Sequence, residues 1–180
     1  MNSPLHVVVL SASPDNPSKT ATLADMAAHE IAARHSGAQI ATVNVYRIGT
    51  GLTSAIMRSD VDDKAERALE TVEHADVLLA AVPVYRGSYP GMFKHFMDLL
   101  DQNALRRTPV ILIATGGSDR HTLVVDHVMR PLFAFFHAYC APTGIYASAT
   151  DFDGATLTNP HIGQRISQAV DDIDPLLRAR

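Results

Sequence analysis

Five runs rich in aliphatic residues recur along this chain, and each is followed by a stretch of helical spacing. The strand-like runs cover residues 5–10, 38–46, 76–82, 109–114 and 143–147. The helix-like stretches cover residues 18–35, 60–74, 92–102, 120–139 and 161–178. Such alternation needs crossover connections, and right-handed crossovers put parallel strands in one sheet with helices on both faces. The first, third and fourth runs are nearly unbroken Val, Leu, Ile and Ala, as strands covered on both faces must be. The second alternates through Ile40, Val43 and Val45, which suits an edge. The predicted fold class is α/β, a three-layer sandwich whose five-stranded parallel sheet has the order 2-1-3-4-5. In that order the ligand crevice lies between strands 1 and 3, at their carboxyl ends. No repeat, low-complexity tract or linker interrupts the series, so residues 1–180 read as one domain. Residues 49–59 carry no clear pattern.

Composition narrows the function classes. Net charge is −4 with acids and bases interspersed, which gives no electrostatic case for nucleic acid or an anionic membrane. No apolar run approaches the roughly 20 residues of a membrane helix. The N-terminus has no basic segment followed by a long apolar one, so no signal peptide is expected. A single cysteine, Cys140, forbids an intrachain disulfide and suits a reducing cytoplasm. Nine histidines invite a metal hypothesis, but none forms a ligand pair four apart on a helix, and no metal is expected. Ser118, Asp119 and His121 superficially suggest a hydrolase, yet there is no G-x-S-x-G elbow.

The first run opens into a hydroxyl-rich turn, Ser11-Ala-Ser-Pro-Asp-Asn-Pro-Ser-Lys-Thr20, and then a helix. First-turn amides lack intrahelical acceptors and carry the positive end of the dipole. A phosphate there would accept bonds from Ser11, Ser13, Ser18, Thr20 and Thr22, with Lys19 beside them. Neither G-x-G-x-x-G nor a Walker loop is present, which favours a monoester phosphate. An N-cap in a stiff polar turn is the plainer reading of the same residues.

Two further loops would share that sheet edge. Pro83-Val-Tyr-Arg-Gly-Ser-Tyr-Pro-Gly91 offers stacking surface in Tyr85 and Tyr89 and backbone donors from Val84 to Gly87. Arg86 could stack on a ring or offset negative charge on it. A flat heteroaromatic ring needs such surfaces and amides. Thr115-Gly-Gly-Ser118 can approach a ligand closely, and its glycines permit left-handed torsions.

Taken together, S-x-S-P-x-x-x-S-x-T, the P-V-Y loop and A-T-G-G-S resemble the NAD(P)H-dependent FMN reductase family. Within it the chain is most similar to reductase subunits of two-component alkanesulfonate and methanesulfonate monooxygenases. The resemblance implies a flavodoxin-like fold and an oxidoreductase that uses NADPH or NADH to reduce FMN for a partner FMNH2-dependent monooxygenase. It implies that Ser11, Ser13, Ser18, Lys19 and Thr20 hold the FMN phosphate. Pro83, Val84, Tyr85 and Arg86 would line the isoalloxazine, and Thr115, Gly116, Gly117 and Ser118 its pyrimidine or ribityl side. It also implies a homodimer or homotetramer, and a one-residue insertion that makes a π-helical turn at the subunit interface. The matching position here is His127, where the relatives have tyrosine, and its proposed role is to loosen flavin so that it exchanges. From the residues alone, Pro131 inside the stretch 120–139 should bend or widen a helix. Two rivals share the motifs: a bound-FMN quinone or azo-dye reductase, and a non-enzymatic flavodoxin-type electron carrier.

Overall fold

In the computed structural model, which describes residues 4–179, the sheet grows outward from β1 (His6–Ser11). β2 (Gln39–Asn44) pairs with one side of β1 and β3 (Val77–Pro83) with the other. β4 (Pro109–Gly116) follows β3. The fifth position is shared by β5 (Tyr139–Cys140) and β6 (Ile145–Ser148), both parallel to β4. The order 2-1-3-4-5 is thus the observed one, with its last strand broken between residues 140 and 145. Residues 1–3 and 180 of the expected single domain lie outside the described residues.

Period-two alternation assigns each strand residue to a face. Val7, Val9, Leu79 and Ile113 bury against α1 (Lys19–Arg34) and α7 (Pro160–Arg178). Val8, Leu10, Leu78 and Leu112 bury on the opposite face. There they meet α4 (Asp63–Glu73), α5 (Gly91–Asp98) and α6 (Arg130–Phe135), through Leu69, Phe93, Phe96 and Phe133. Between β2 and α4 the unpatterned stretch forms two single turns, α2 (Val45–Ile48) and α3 (Thr50–Thr53), and a 3₁₀ turn at Arg58–Asp60. β2 is the expected edge strand, exposed from Gln39 to Thr42. A two-stranded hairpin of β7 (Phe152–Asp153) and β8 (Thr156–Leu157) had no clear signal, because each strand is only two residues long. Among the described residues no helix is long and apolar enough to cross a membrane.

The single helix expected over residues 120–139 is instead three pieces. A 3₁₀ turn at Asp119–His121 is followed by a π-helical turn at Val125–Met129 and then α6. Pro131 sits at the start of α6, where its missing amide is harmless. The Arg130 amide reaches back five residues to the Val125 carbonyl, which widens the turn just before the proline. α6 stops early because His137 adopts a left-handed conformation (φ 54°), and the chain turns into β5. Gly144 makes room for the wide turn: a Cβ there would lie 2.4 Å from Val125 Cγ1.

One polar cluster fastens α1 to α7. His35 Nε2 lies 2.8 Å from Asp174 Oδ1, and Arg178 Nε donates to Asp174 Oδ2 at 2.5 Å. Burial works against the Asp174 carboxylate, but these hydrogen bonds outweigh it and hold the group below its usual pKa. A depressed carboxyl contributes stability that is complete above its unfolded value of about 3.9 and is lost as pH falls through the folded value. Asp174→Asn should therefore cost about 1–3 kcal/mol in urea unfolding at pH 7. The gap from the parent protein should narrow on acidification below about pH 4; a gap of constant size would refute this account.

Candidate functional site

β1 ends at Ser11, and residues 12–18 turn into α1. Ser11, Ser13 and Thr20 are almost completely buried at this turn. Ser18 is the N-cap of α1: its Oγ accepts from the Ala21 amide at 3.1 Å and donates to Ser13 Oγ at 2.8 Å. The Ser13 amide donates to Ser11 Oγ at 3.4 Å. The N-cap reading is thus observed, and the capping serine belongs to the same hydroxyl cluster that a phosphate would meet. Thr22 is the exception among the expected phosphate hydroxyls. Its Oγ1 points to the carbonyls of Ser18 (3.1 Å) and Ala155 (3.0 Å), which ties α1 to the hairpin. Asn44, which sequence reasoning missed, donates to the Ser13 carbonyl at 2.9 Å and caps α2. An Asn between a strand and a helical turn is a cap signal that could have found it.

The second loop is a tight turn. Tyr85 and Ser88 exchange backbone hydrogen bonds of 2.8 and 3.1 Å, with Arg86 (φ 52°) and Gly87 (φ 81°) both left-handed between them. The Val84 amide donates to the Thr115 carbonyl at 2.7 Å. Of the expected donors from Val84 to Gly87, only those of Arg86 and Gly87 stay uncommitted among the described residues. Tyr85 is 41% exposed; burial, then the charges of Asp15 and Tyr46, raise its pKa, so it is a neutral phenol. Tyr89 is partly buried, packs on Phe93 with ring centroids 5.5 Å apart and is not among the residues lining the cleft. Arg86 lies exposed at the turn.

The third loop continues β4. Thr115 Oγ1 lies 2.6 Å from Thr20 Oγ1, which joins the first loop to the third. Neither Gly116 nor Gly117 uses the left-handed torsion expected of it. Gly116 is needed for space instead: a Cβ there would lie 2.2 Å from the hydroxyl of Tyr146. That hydroxyl donates to the Ser118 carbonyl at 2.6 Å. Burial, then Asp119 and Asp151, raise the Tyr146 pKa, so the group is a hydrogen-bond donor at neutral pH.

These loops enclose a cleft of about 370 Å³, within the roughly 300–1,000 Å³ of cofactor sites. Ser13, Lys19 and Thr20 line one side, Pro83, Val84 and Tyr85 another, and Thr115, Gly116 and Gly117 the floor between them. Gly154 and Ala155 of the β7–β8 turn close the remaining side, and Lys19 leans on this hairpin with Nζ 5.5 Å from the Phe152 ring centroid. Ser11 and Ser18 support the wall by hydrogen bonds rather than lining it, and Ser118 is held from behind by Tyr146. His127 is exposed in the middle of the π turn, away from the cleft lining. Cys140 is half-buried and its thiol pKa is raised by burial, so it behaves as a packed apolar residue. Among the described residues no cluster of His, Cys, Asp or Glu is placed to hold a metal ion.

Parallel strand order 2-1-3-4-5, with a cleft at the carboxyl ends of the strands between β1 and β3, defines a flavodoxin-like fold. The profile of the NADPH-dependent FMN reductases matches residues 5–153, and the chain belongs to that family. The NADH-dependent FMN reductase SfnF of Pseudomonas fluorescens is 43% identical over 176 residues, which cover 98% of this chain and 94% of that protein. The FMN reductase (NADPH) of Pseudomonas aeruginosa is 41% identical over 180 residues, covering 100% and 96%. Among solved structures, an oxidoreductase from Corynebacterium diphtheriae superposes with a TM-score of 0.87 at 31% identity, covering 98% of each chain.

Replacing Ser13 and Ser18 together by Ala should weaken FMN binding about tenfold, through loss of the Ser13 hydroxyl that lines the cleft and of the Ser18 hydroxyl that holds it in place. The same change should lower stability by about 1 kcal/mol through the missing cap. Fluorescence titration with FMN and with riboflavin is the check. Riboflavin, which has no phosphate, should lose far less affinity, and equal losses for both would remove the phosphate assignment.

Proposed function

We propose that this chain is an NAD(P)H-dependent FMN reductase that supplies reduced flavin to a partner FMNH2-dependent monooxygenase of the sulfonate type. One observation carries the reading: three loops, each suited to a different part of FMN, line one crevice of the right size. Relatives named as FMN reductases over nearly the whole chain support it. Bound FMN would supply the hydride-accepting chemistry. The chain's part is to bind and orient. Ser13, Lys19, Thr20 and the first amides of α1 would hold the phosphate, with Ser11 and Ser18 supporting them from behind. Tyr85, with Pro83 and Val84, would flank the ring system, and the amides of Arg86, Gly87, Gly117 and Ser118 would face its polar edge. No side chain need act as acid or base, since hydride transfer asks for alignment at near-attack distance.

The same reading covers the assembly. Leu123, Phe135 and Tyr139 are large apolar residues left exposed around the π turn, which suits a homodimer or homotetramer joined there. The whole chain would act as one cytoplasmic domain. His127 in the π turn would keep flavin exchangeable.

Oxidation of NADH and of NADPH by flavin-stripped protein, titrated with free FMN, tests the function. A saturable rate with many turnovers per FMN is expected. A plateau at one FMN per subunit that then demands a quinone or dye would select the bound-flavin reductase. FMN binding without nicotinamide oxidation would select the electron carrier. Deleting His127 should convert the π turn to ordinary helix and slow FMN release in stopped-flow displacement; an unchanged release rate would discard its exchange role.

A further inference from the structure

We infer that Tyr146 is a positioning residue for flavin binding: from behind the crevice, its hydroxyl fixes residues 116–118 in the shape that faces the ring. The inference rests on the flavin-binding reading above and adds to it a residue that the three loop motifs do not contain.

Tyr146 lies in β6, opposite Ala114 of β4, and is 8% exposed. Its side chain faces the layer that holds α5 and the π turn. It is absent from the lining of the crevice, and lines a separate cavity of about 400 Å³ with Asp119, Asp126, Asp151 and Arg165. The tyrosine therefore stands as a wall between two spaces, and touches the third loop only from its far side. Two contacts define what it does there. The hydroxyl donates to the Ser118 carbonyl at 2.6 Å, sharing it with a longer bond of 3.4 Å from the His121 amide. The same oxygen occupies the place where a Cβ on residue 116 would be. Among the described residues no other side chain hydrogen-bonds to residues 116–118. Gly117 projects into open space on the crevice side, since a Cβ there would meet nothing within 4 Å. The loop is thus held at one end by β4 and at residue 118 by Tyr146, and is free at Gly117 between them.

The strut also reaches the π turn. Gly144, two residues before Tyr146, is the glycine over which Val125 packs. Gly144, just before β6, thus meets the widened turn, and Tyr146, the second residue of β6, meets the third loop.

The test is a double-mutant cycle read in flavin affinity and thermal unfolding. Tyr146→Phe keeps the ring and removes the donor. It should raise Kd for FMN and for riboflavin by the same factor, about threefold to tenfold, the equivalent of one ordinary hydrogen bond. Gly116→Ala should weaken both flavins more, because its Cβ collides with the hydroxyl. In the double variant the colliding oxygen is gone, so affinity should recover most of the loss caused by Gly116→Ala alone. Should Gly116→Ala fail to fold, restored folding in the double variant supports the same conclusion. The inference is overturned if Tyr146→Phe lowers the unfolding temperature but leaves both Kd values within twofold of the parent, as a purely structural role predicts. It is equally overturned if the double variant is no better than Gly116→Ala. Parent protein that binds neither flavin would sink the functional reading itself, an outcome separate from the other two.

Discussion

Burial on both faces of β1, β3 and β4 is the constraint on which the rest of the molecule depends. Strands of Val, Leu, Ile and Ala with no polar face cannot sit at a surface, so helices must cover both sides. Those helices can return only by crossovers, and the crossovers leave every strand–helix loop at one edge. The crevice is a consequence of that geometry before it is a property of any one residue. Tightness in the sheet also explains why the crevice residues are small or hydroxylic: Ser11, Thr20 and Thr115 are buried among close-packed backbone and must satisfy their polar atoms locally.

Several polar groups of the site serve two ends at once. Ser18 caps a helix and orders a hydroxyl cluster with the same oxygen. Thr20 and Thr115 bind one another across the two central loops. Val84 commits its amide to β4, which sets the second loop against the third. Among the described residues the amides of Arg86 and Gly87 stay free, while at the start of α1 the Ala21 amide is taken by the Ser18 cap. The left-handed Arg86 costs about 1 kcal/mol relative to glycine there, so the turn retains a side chain that its backbone would rather lose.

Strands, their order and the three loops were legible because each rests on local pattern: unbroken aliphatic runs, a cluster of capping hydroxyls, glycines after a strand. The π turn was half legible. Pro131 announced a defect between residues 120 and 139, the resemblance implied a π turn at His127, and the backbone bond from Arg130 to Val125 shows it at Val125–Met129. The β7–β8 hairpin and the parts that Asn44 and Tyr146 play toward the loops were not legible, although Asn44 carried a cap signal. Each acts through a partner far away in the chain, Ala155 on Thr22, Asn44 on Ser13 and Tyr146 on Ser118, and no single window of sequence contains both members.

The broken fifth strand gives the sheet two unlike borders. On one side β2 runs six residues with an open backbone edge. On the other, two residues of β5 and four of β6 are separated by a gap that Arg130 and Arg165 fill through the carbonyls of Ala141 and Gly144. Growth of a fibre by edge pairing needs two edges that fit each other. The broken border offers the β2 edge of another copy only short, interrupted pairing, so head-to-tail stacking of this sheet gains few backbone hydrogen bonds.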